Sequence, residues 1–152
     1  MPLLFSLVSE LADYELAPHA VAGTEELLDA GLFGEHPLAE AIVAELDREP
    51  VGFALFHGSF STWECKPGIW LEDLYVRPTQ RRSGVGRALL ARVAAIAVQR
   101  GCARLEWAAL DWNTPALDFY EKLGAERLEE WRLHRLDGAA LARVASEPAP
   151  GR

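Results

Sequence analysis

The chain has 152 residues, 50% hydrophobic and 25% charged, the balance of a water-soluble domain with enough apolar content for one continuous core. Its formal net charge of -8 argues against a nucleic-acid partner, which needs a concentrated basic surface, and suits the attraction of a small cation. Cys65 and Cys102 lack C-x-x-C spacing, the N-terminus has no signal-like pattern, and the longest apolar run, 88–98, is interrupted by Arg92. We therefore expect a cytoplasmic protein with free thiols, no structural metal and no membrane partner.

Leu7, Val8 and Leu11 recur at helical spacing over 6–14, so the chain begins inside a helix, which Pro18 ends. Thr24 caps a short second helix, 25–30. Segments 39–46 and 50–57 are rich in Val, Ile, Phe and Leu around the turn Asp47-Arg48-Glu49-Pro50, the pattern of an antiparallel hairpin. A loop over 58–68 contains Trp63, and a third strand covers 70–76. A long amphipathic helix spans 84–100, with Leu89, Leu90, Val93, Ile96 and Ala97 on one face and Gly101 as its stop. A strand over 104–110 follows; Asn113-Thr114-Pro115 opens a helix that carries Phe119 and Tyr120 and ends at Gly124, and a last strand covers 130–136. The Pro- and Ala-rich stretch 146–152 reads as a disordered tail, leaving one domain over 1–145. Helices alternating with hairpins and one strand-helix-strand crossover predict an α/β class, a mixed sheet flanked by helices.

The most informative segment runs from Leu71 to Leu90, where an apolar strand leads into Arg81-x-x-Gly84-x-Gly86 and a helix opens directly behind. Gly84 and Gly86 let the backbone approach an anion closely and tolerate positive φ, while the free amides of the helix start point at the same spot. Arg81 and Arg82 add charge there. The segment lacks the spacing of nucleoside-triphosphate loops and of dinucleotide turns, which leaves an anion-holding turn of another kind or a plain connection.

Arg-x-x-Gly-x-Gly between strand and helix resembles the pyrophosphate loop of the GCN5-related N-acetyltransferases (GNAT). Leu71-Glu-Asp-Leu-Tyr-Val76, Asp29-Ala-Gly-Leu-Phe-Gly-Glu-His-Pro37, Trp112-Asn113 and Phe119-Tyr120 recur in the order of the spermidine/spermine (diamine) branch, and the match covers about 10–137. The resemblance implies the GNAT fold, acetyl-CoA as cofactor and a small amine as substrate. It implies cofactor contacts at Leu74, Tyr75 and Val76, at Arg81, Arg82, Ser83, Gly84, Val85, Gly86 and Arg87, and at Asn113, Ala116 and Tyr120. Leu74 to Val76 would offer backbone groups to the pantetheine amides, as an added strand does.

Acetyl transfer to an amine needs the amine without its proton, although an alkyl ammonium has a pKa of about 10.4. Glu72 and Asp73 lie inside the apolar stretch 69–76, where two acids are costly to bury without purpose, and strand alternation predicts that only one points into a given cleft. By resemblance Glu72 is the base or amine ligand. Tyr120 taken alone reads as a core aromatic, and Asn113 as an N-cap; by resemblance Tyr120 gives a proton to the leaving thiolate and Asn113 touches the pantetheine arm. The branch also implies amine contacts at Tyr14, Glu15, Asp73, Trp63, Glu106, Trp107 and Glu130, the last requiring a one-residue gap. His36 reads as a turn residue, and His19, His57 and His134 have no spacing that builds a triad or a metal site.

Two departures from the family pattern stand out. Arg82 occupies a position often held by Gly, so positive φ there would strain the loop and weaken cofactor affinity without abolishing it. The strand that normally precedes the first helix is lacking, which implies either a start codon set roughly a dozen residues late, the favoured reading, or an exposed sheet edge. The expected activity is acetylation of a small polyamine, diamine or lysine-like amine by a homodimer paired through its late strands and the apolar stretch 133–141. The alternatives are a non-catalytic acyl-CoA-binding module and an acetyltransferase of protein or peptide amines.

Overall fold

The computed structural model describes residues 1–147 and divides into two compact units, Met1–Ala108 and a second that begins at Ala109. The first unit opens with helix α1, Pro2–Tyr14, which starts earlier than the apolar spacing predicts because proline fits the first helical turn. A 3-10 turn, Pro18–Ala20, leads to α2, Glu25–Phe33, where the Thr24 hydroxyl accepts from the Leu27 amide at 3.4 Å. No strand precedes α1 among the described residues.

Strands β1, Glu40–Leu46, and β2, Glu49–Ser61, form the expected hairpin, turning at Asp47 and Arg48 with φ of 52° and 67°. Two consecutive residues at positive φ twist in the sense that antiparallel strands require. β3, Lys66–Val76, runs antiparallel to β2, so the loop expected over 58–68 is a correction: strand continues out to Ser61 and back from Lys66. Gly58, Pro67 and Gly68 read as punctuation in the sequence, yet the ladder passes through them.

A 3-10 turn, Pro78–Gln80, separates β3 from helix α3, Val85–Gln99, which crosses over to β4, Leu105–Glu106, parallel to β3. The strand expected over 104–110 therefore shrinks to two residues, in keeping with the weak strand preference of Ala108 and Ala109. The sheet order is β1-β2-β3-β4. One face carries Phe53 and Tyr75, buried with Leu4 and Leu7 of α1 and Leu32 of α2. α3 packs against β1, β2 and β3, burying Leu89, Leu90, Val93 and Ala97, and the fully buried Phe56, Ile69 and Leu71 alternate to the sheet face opposite Trp70.

The second unit holds α4, Thr114–Lys122, and α5, Gly138–Ala145. The strand expected over 130–136 is absent; those residues are a turn followed by irregular backbone, with Arg132 Nη1 donating to the Glu129 carbonyl at 2.7 Å. Trp131 and Leu133 alternate as a strand would, but a strand exists only through a partner, and among the described residues 130–136 pair with none. Ser146 closes α5 by donating to the Ala142 and Arg143 carbonyls, and the rest of the tail expected to be disordered, 148–152, lies outside the described residues.

Candidate active site

The register of β2 against β3 decides where the acids go. Leu55 pairs with Asp73 and Phe56 with Leu71, so Glu72 is an extra residue, a β-bulge. Residues directly opposite in an antiparallel pair share a face, which puts Trp70, Asp73 and Tyr75 on the face of His57, Leu55 and Phe53. Glu72 bends to the same side: its Oε2 accepts from Trp70 Nε1 at 2.9 Å and lies 3.9 Å from His57 Nε2. The expectation that alternation admits only one of the two acids is thereby corrected.

Burial pushes the Asp73 carboxyl up to about 6, helped by the neighbouring charges of Glu72 and Glu15. Glu15, the residue that closes α1, is itself raised by burial. Its helix is pinned beside β3 by Glu10, which takes Nε and Nη2 of Arg77 at 2.9 and 2.7 Å and the Tyr75 hydroxyl at 3.4 Å. Hydrogen bonding from Arg77 holds the Glu10 carboxyl below the ordinary range, and Arg77 also donates to the Pro50 carbonyl at 2.7 Å. Three carboxylates, Glu15, Glu72 and Asp73, thus share one region of unit one.

Other expected amine contacts fare differently. Glu106 sits opposite Trp70 but is paired with Arg104 at 2.7 Å, so its charge is already answered within the chain. Trp107 directly follows β4. Tyr14 ends α1 and lies under the Arg81 guanidinium, 4.0 Å from ring centre to Cζ. Trp63 stands at the tip of the β2–β3 hairpin, 88% exposed.

The turn between β3 and α3 has a helix opening behind Gly84, as the spacing suggests, with two differences from the expected backbone. Gly84 has φ of 90° and precedes α3, whose start has neither a side-chain cap nor an acidic first turn. Gly86 needs no positive φ, since it is the second residue of the helix. Arg81 reaches Tyr14, donating from Nε to the Val76 carbonyl at 3.1 Å, while Arg82 and Arg87 adjoin Gly84 and Gly86 in the sequence. Arg82 has φ of 65°, the strained position anticipated for a side chain in place of glycine. Ser83 Oγ donates to the Gln80 carbonyl at 2.5 Å and closes the turn; Val85 is buried beneath it.

Among the described residues, β4 pairs with β3 at Ile69 and Trp70 alone, so Leu74, Tyr75 and Val76 have β2 on one side and no described strand on the other. An open edge of that kind takes an extended amide-bearing chain. In the second unit, Asn113 caps α4, its Oδ1 accepting from the Ala116 amide at 3.4 Å. Tyr120 lies on α4 with its ring 5.3 Å from that of Phe119, and Glu130 falls in the 129–130 turn.

Sequence reasoning missed Trp70, His57, Glu10, Arg77 and Arg104. Trp70 had one signal, its two-residue spacing from Glu72 on a strand; the others are joined only by register and helix packing.

The acetyltransferase (GNAT) family model matches residues 4–125. The chain belongs to the GNAT acetyltransferase family. It is 39% identical over 155 residues to a thialysine N-epsilon-acetyltransferase of Bos taurus, covering 95% of this chain and 91% of that one. It is 30% identical to a spermidine/spermine N(1)-acetyltransferase-like protein of Homo sapiens, covering 96% of this chain and 22% of that one, within the diamine-acetyltransferase branch. An integron cassette protein of V. cholerae superposes with a TM-score of 0.76 at 30% identity, covering 91% and 86% of the two chains. This GNAT protein is accordingly an N-acetyltransferase whose cofactor is acetyl-CoA. The residues present fit that group: an uncapped helix start beyond Gly84, with Arg82 and Arg87 beside it, suits a pyrophosphate, and the open β3 edge suits a pantetheine arm.

Proposed function

We infer that the protein acetylates the primary amine of a small diamine, polyamine or lysine-like molecule by direct attack of the amine. The observation that carries this reading is the bulge at Glu72, which gathers two consecutive carboxylates on one face beside Glu15, with Asp73 near 6. Three acids attract a cation and hold it, and a carboxylate that titrates near neutrality is matched to taking a proton from an amine. The relative named for thialysine, a lysine-like amine, supports the same substrate class.

Acetyl-CoA supplies the acetyl group as an activated thioester. The amides of Ser83 to Arg87, together with the Arg82 and Arg87 charges, would hold its pyrophosphate and Leu74, Tyr75 and Val76 would pair with its pantetheine arm, with Asn113 and Ala116 as the cofactor contacts of the second unit in this reading. Glu72 Oε1 or Asp73 would accept the ammonium proton, Glu15 and Tyr14 would line the amine's distal end, and Tyr120 Oη would give a proton to the leaving sulfur. Trp63, Glu106, Trp107 and Glu130 complete the amine-contact set in this reading. A single domain over 1–145, a cytoplasmic location and a homodimer belong to it as well. Leu133, Leu136 and Leu141, exposed in the second unit, are the apolar side chains that support pairing. Acylation of protein or peptide amines is the competing reading.

The test is a panel of diamines, polyamines, basic amino acids and a peptide, each with acetyl-CoA, following thiol release. Turnover confined to small cationic amines is expected; turnover of the peptide alone would overturn the reading.

A further inference from the structure

Both contacts to the Glu72 carboxylate fall on Oε2. Trp70 Nε1 donates to it at 2.9 Å, and His57 Nε2 stands 3.9 Å away. The imidazole is set in place from its other side, where Nδ1 lies 3.1 Å from the Gly58 carbonyl and donates to it, so that Nε2 is the nitrogen turned to Glu72. Trp70 and His57 are register partners on adjacent strands. The bulge therefore sets Glu72 against a pair of side chains that are themselves aligned by the ladder.

We propose that Trp70 and His57 are positioning residues for Glu72: the indole N–H fixes Oε2 so that Oε1 meets the amine, and the imidazole beside it limits the directions the carboxylate can take. The proposal rests on Glu72 serving the amine, as inferred above. An unconstrained glutamate swings about three torsions, and holding one oxygen removes most of that freedom before substrate arrives. A charged acceptor makes the bond to the indole a strong one. The other charged groups around this spot are Asp73 on β3, Glu15 at the end of α1, and Glu106 on β4, the last neutralised by Arg104.

The experiment is a double-mutant cycle with Trp70→Phe and Glu72→Ala in the full chain, using the best amine of the panel. Trp70→Phe keeps the ring and removes the donor. It is expected to lower kcat/KM for the amine about tenfold, leave KM for acetyl-CoA unchanged, and have no further effect once Glu72 is Ala. Equal losses in both backgrounds would mean that Trp70 is merely structural and would overturn the proposal. Separately, His57→Ala is expected to raise KM for the amine severalfold when Glu72 is present and to have no further effect once Glu72 is Ala. Equal effects in both backgrounds would remove His57 from the pair, and this readout holds even if Trp70→Phe folds poorly. Were no amine acetylated by the parent protein, the functional reading would fall instead.

Discussion

Glu72 and Asp73, adjacent in the chain, face the same side of the sheet because β3 spends one more residue than β2 between the Phe56–Leu71 and Leu55–Asp73 pairs. Without that bulge Glu72 would keep the Trp70 side while Asp73 turned into the apolar layer of Leu71 and Phe56, beneath α3. The extra residue costs a ladder bond and brings two negative charges together, which is the kind of local expense found where a protein handles a substrate rather than where it builds a core.

The raised Asp73 carboxyl links activity to stability with a definite sign. Its folded value, about 6, lies above the ordinary 3.8, so its contribution to stability is fully present below about pH 3.8 and is lost as pH rises through 6. Asp73→Asn should be close to the parent in unfolding free energy, read by urea titration, at pH 4 and exceed it at pH 8 by up to about 3 kcal/mol. The same variant should lose the acid limb of the kcat/KM profile near pH 6, along with most of the rate. Equal stability differences at both pH values would show that the carboxyl is not strained by its surroundings.

Gly84 and Arg82 make opposite predictions for the loop. Gly84 at φ 90° has open space around the position of a Cβ, so a substitution there fails through backbone conformation alone. Gly84→Val should raise KM for acetyl-CoA at least about tenfold, the loss of about 1.4 kcal/mol of binding. At Arg82, comparing Gly with Ala removes the same charge twice and isolates the cost of φ 65°. The Gly variant should be the more stable by about 1 kcal/mol, with the lower KM for acetyl-CoA. Indistinguishable Gly and Ala variants would mean that the loop relaxes freely.

Tyr120→Phe preserves the ring beside Phe119 and removes only the hydroxyl. If Oη gives the proton to the leaving sulfur, kcat should fall about 100-fold with KM for acetyl-CoA unchanged. A fall of less than threefold would assign the proton to another donor.

Much of this was legible in the residues. The period of Leu89, Leu90 and Val93 marked α3, Asn113-Thr114-Pro115 marked the start of α4, and the Gly84 spacing marked the loop, because each is a local pattern with a local cause. The bulge was not legible: Leu71-Glu72-Asp73-Leu74 reads as plain alternation until β2 supplies the register. For the same reason Trp70 and His57 could not be tied to Glu72, nor Glu10 to Arg77 across 67 positions of sequence. The strand over 130–136 failed in the opposite direction, through alternation without a partner to pair with.

The central claim is that the shared face of Glu15, Glu72 and Asp73 selects an amine carrying a second positive charge. The measurement that addresses it most directly is kcat/KM for a diamine against a monoamine of equal length, at low and high salt, with acetyl-CoA saturating. The account predicts at least about a tenfold preference for the diamine, shrinking as salt screens the acids. Equal values for the two amines with no salt dependence would contradict it.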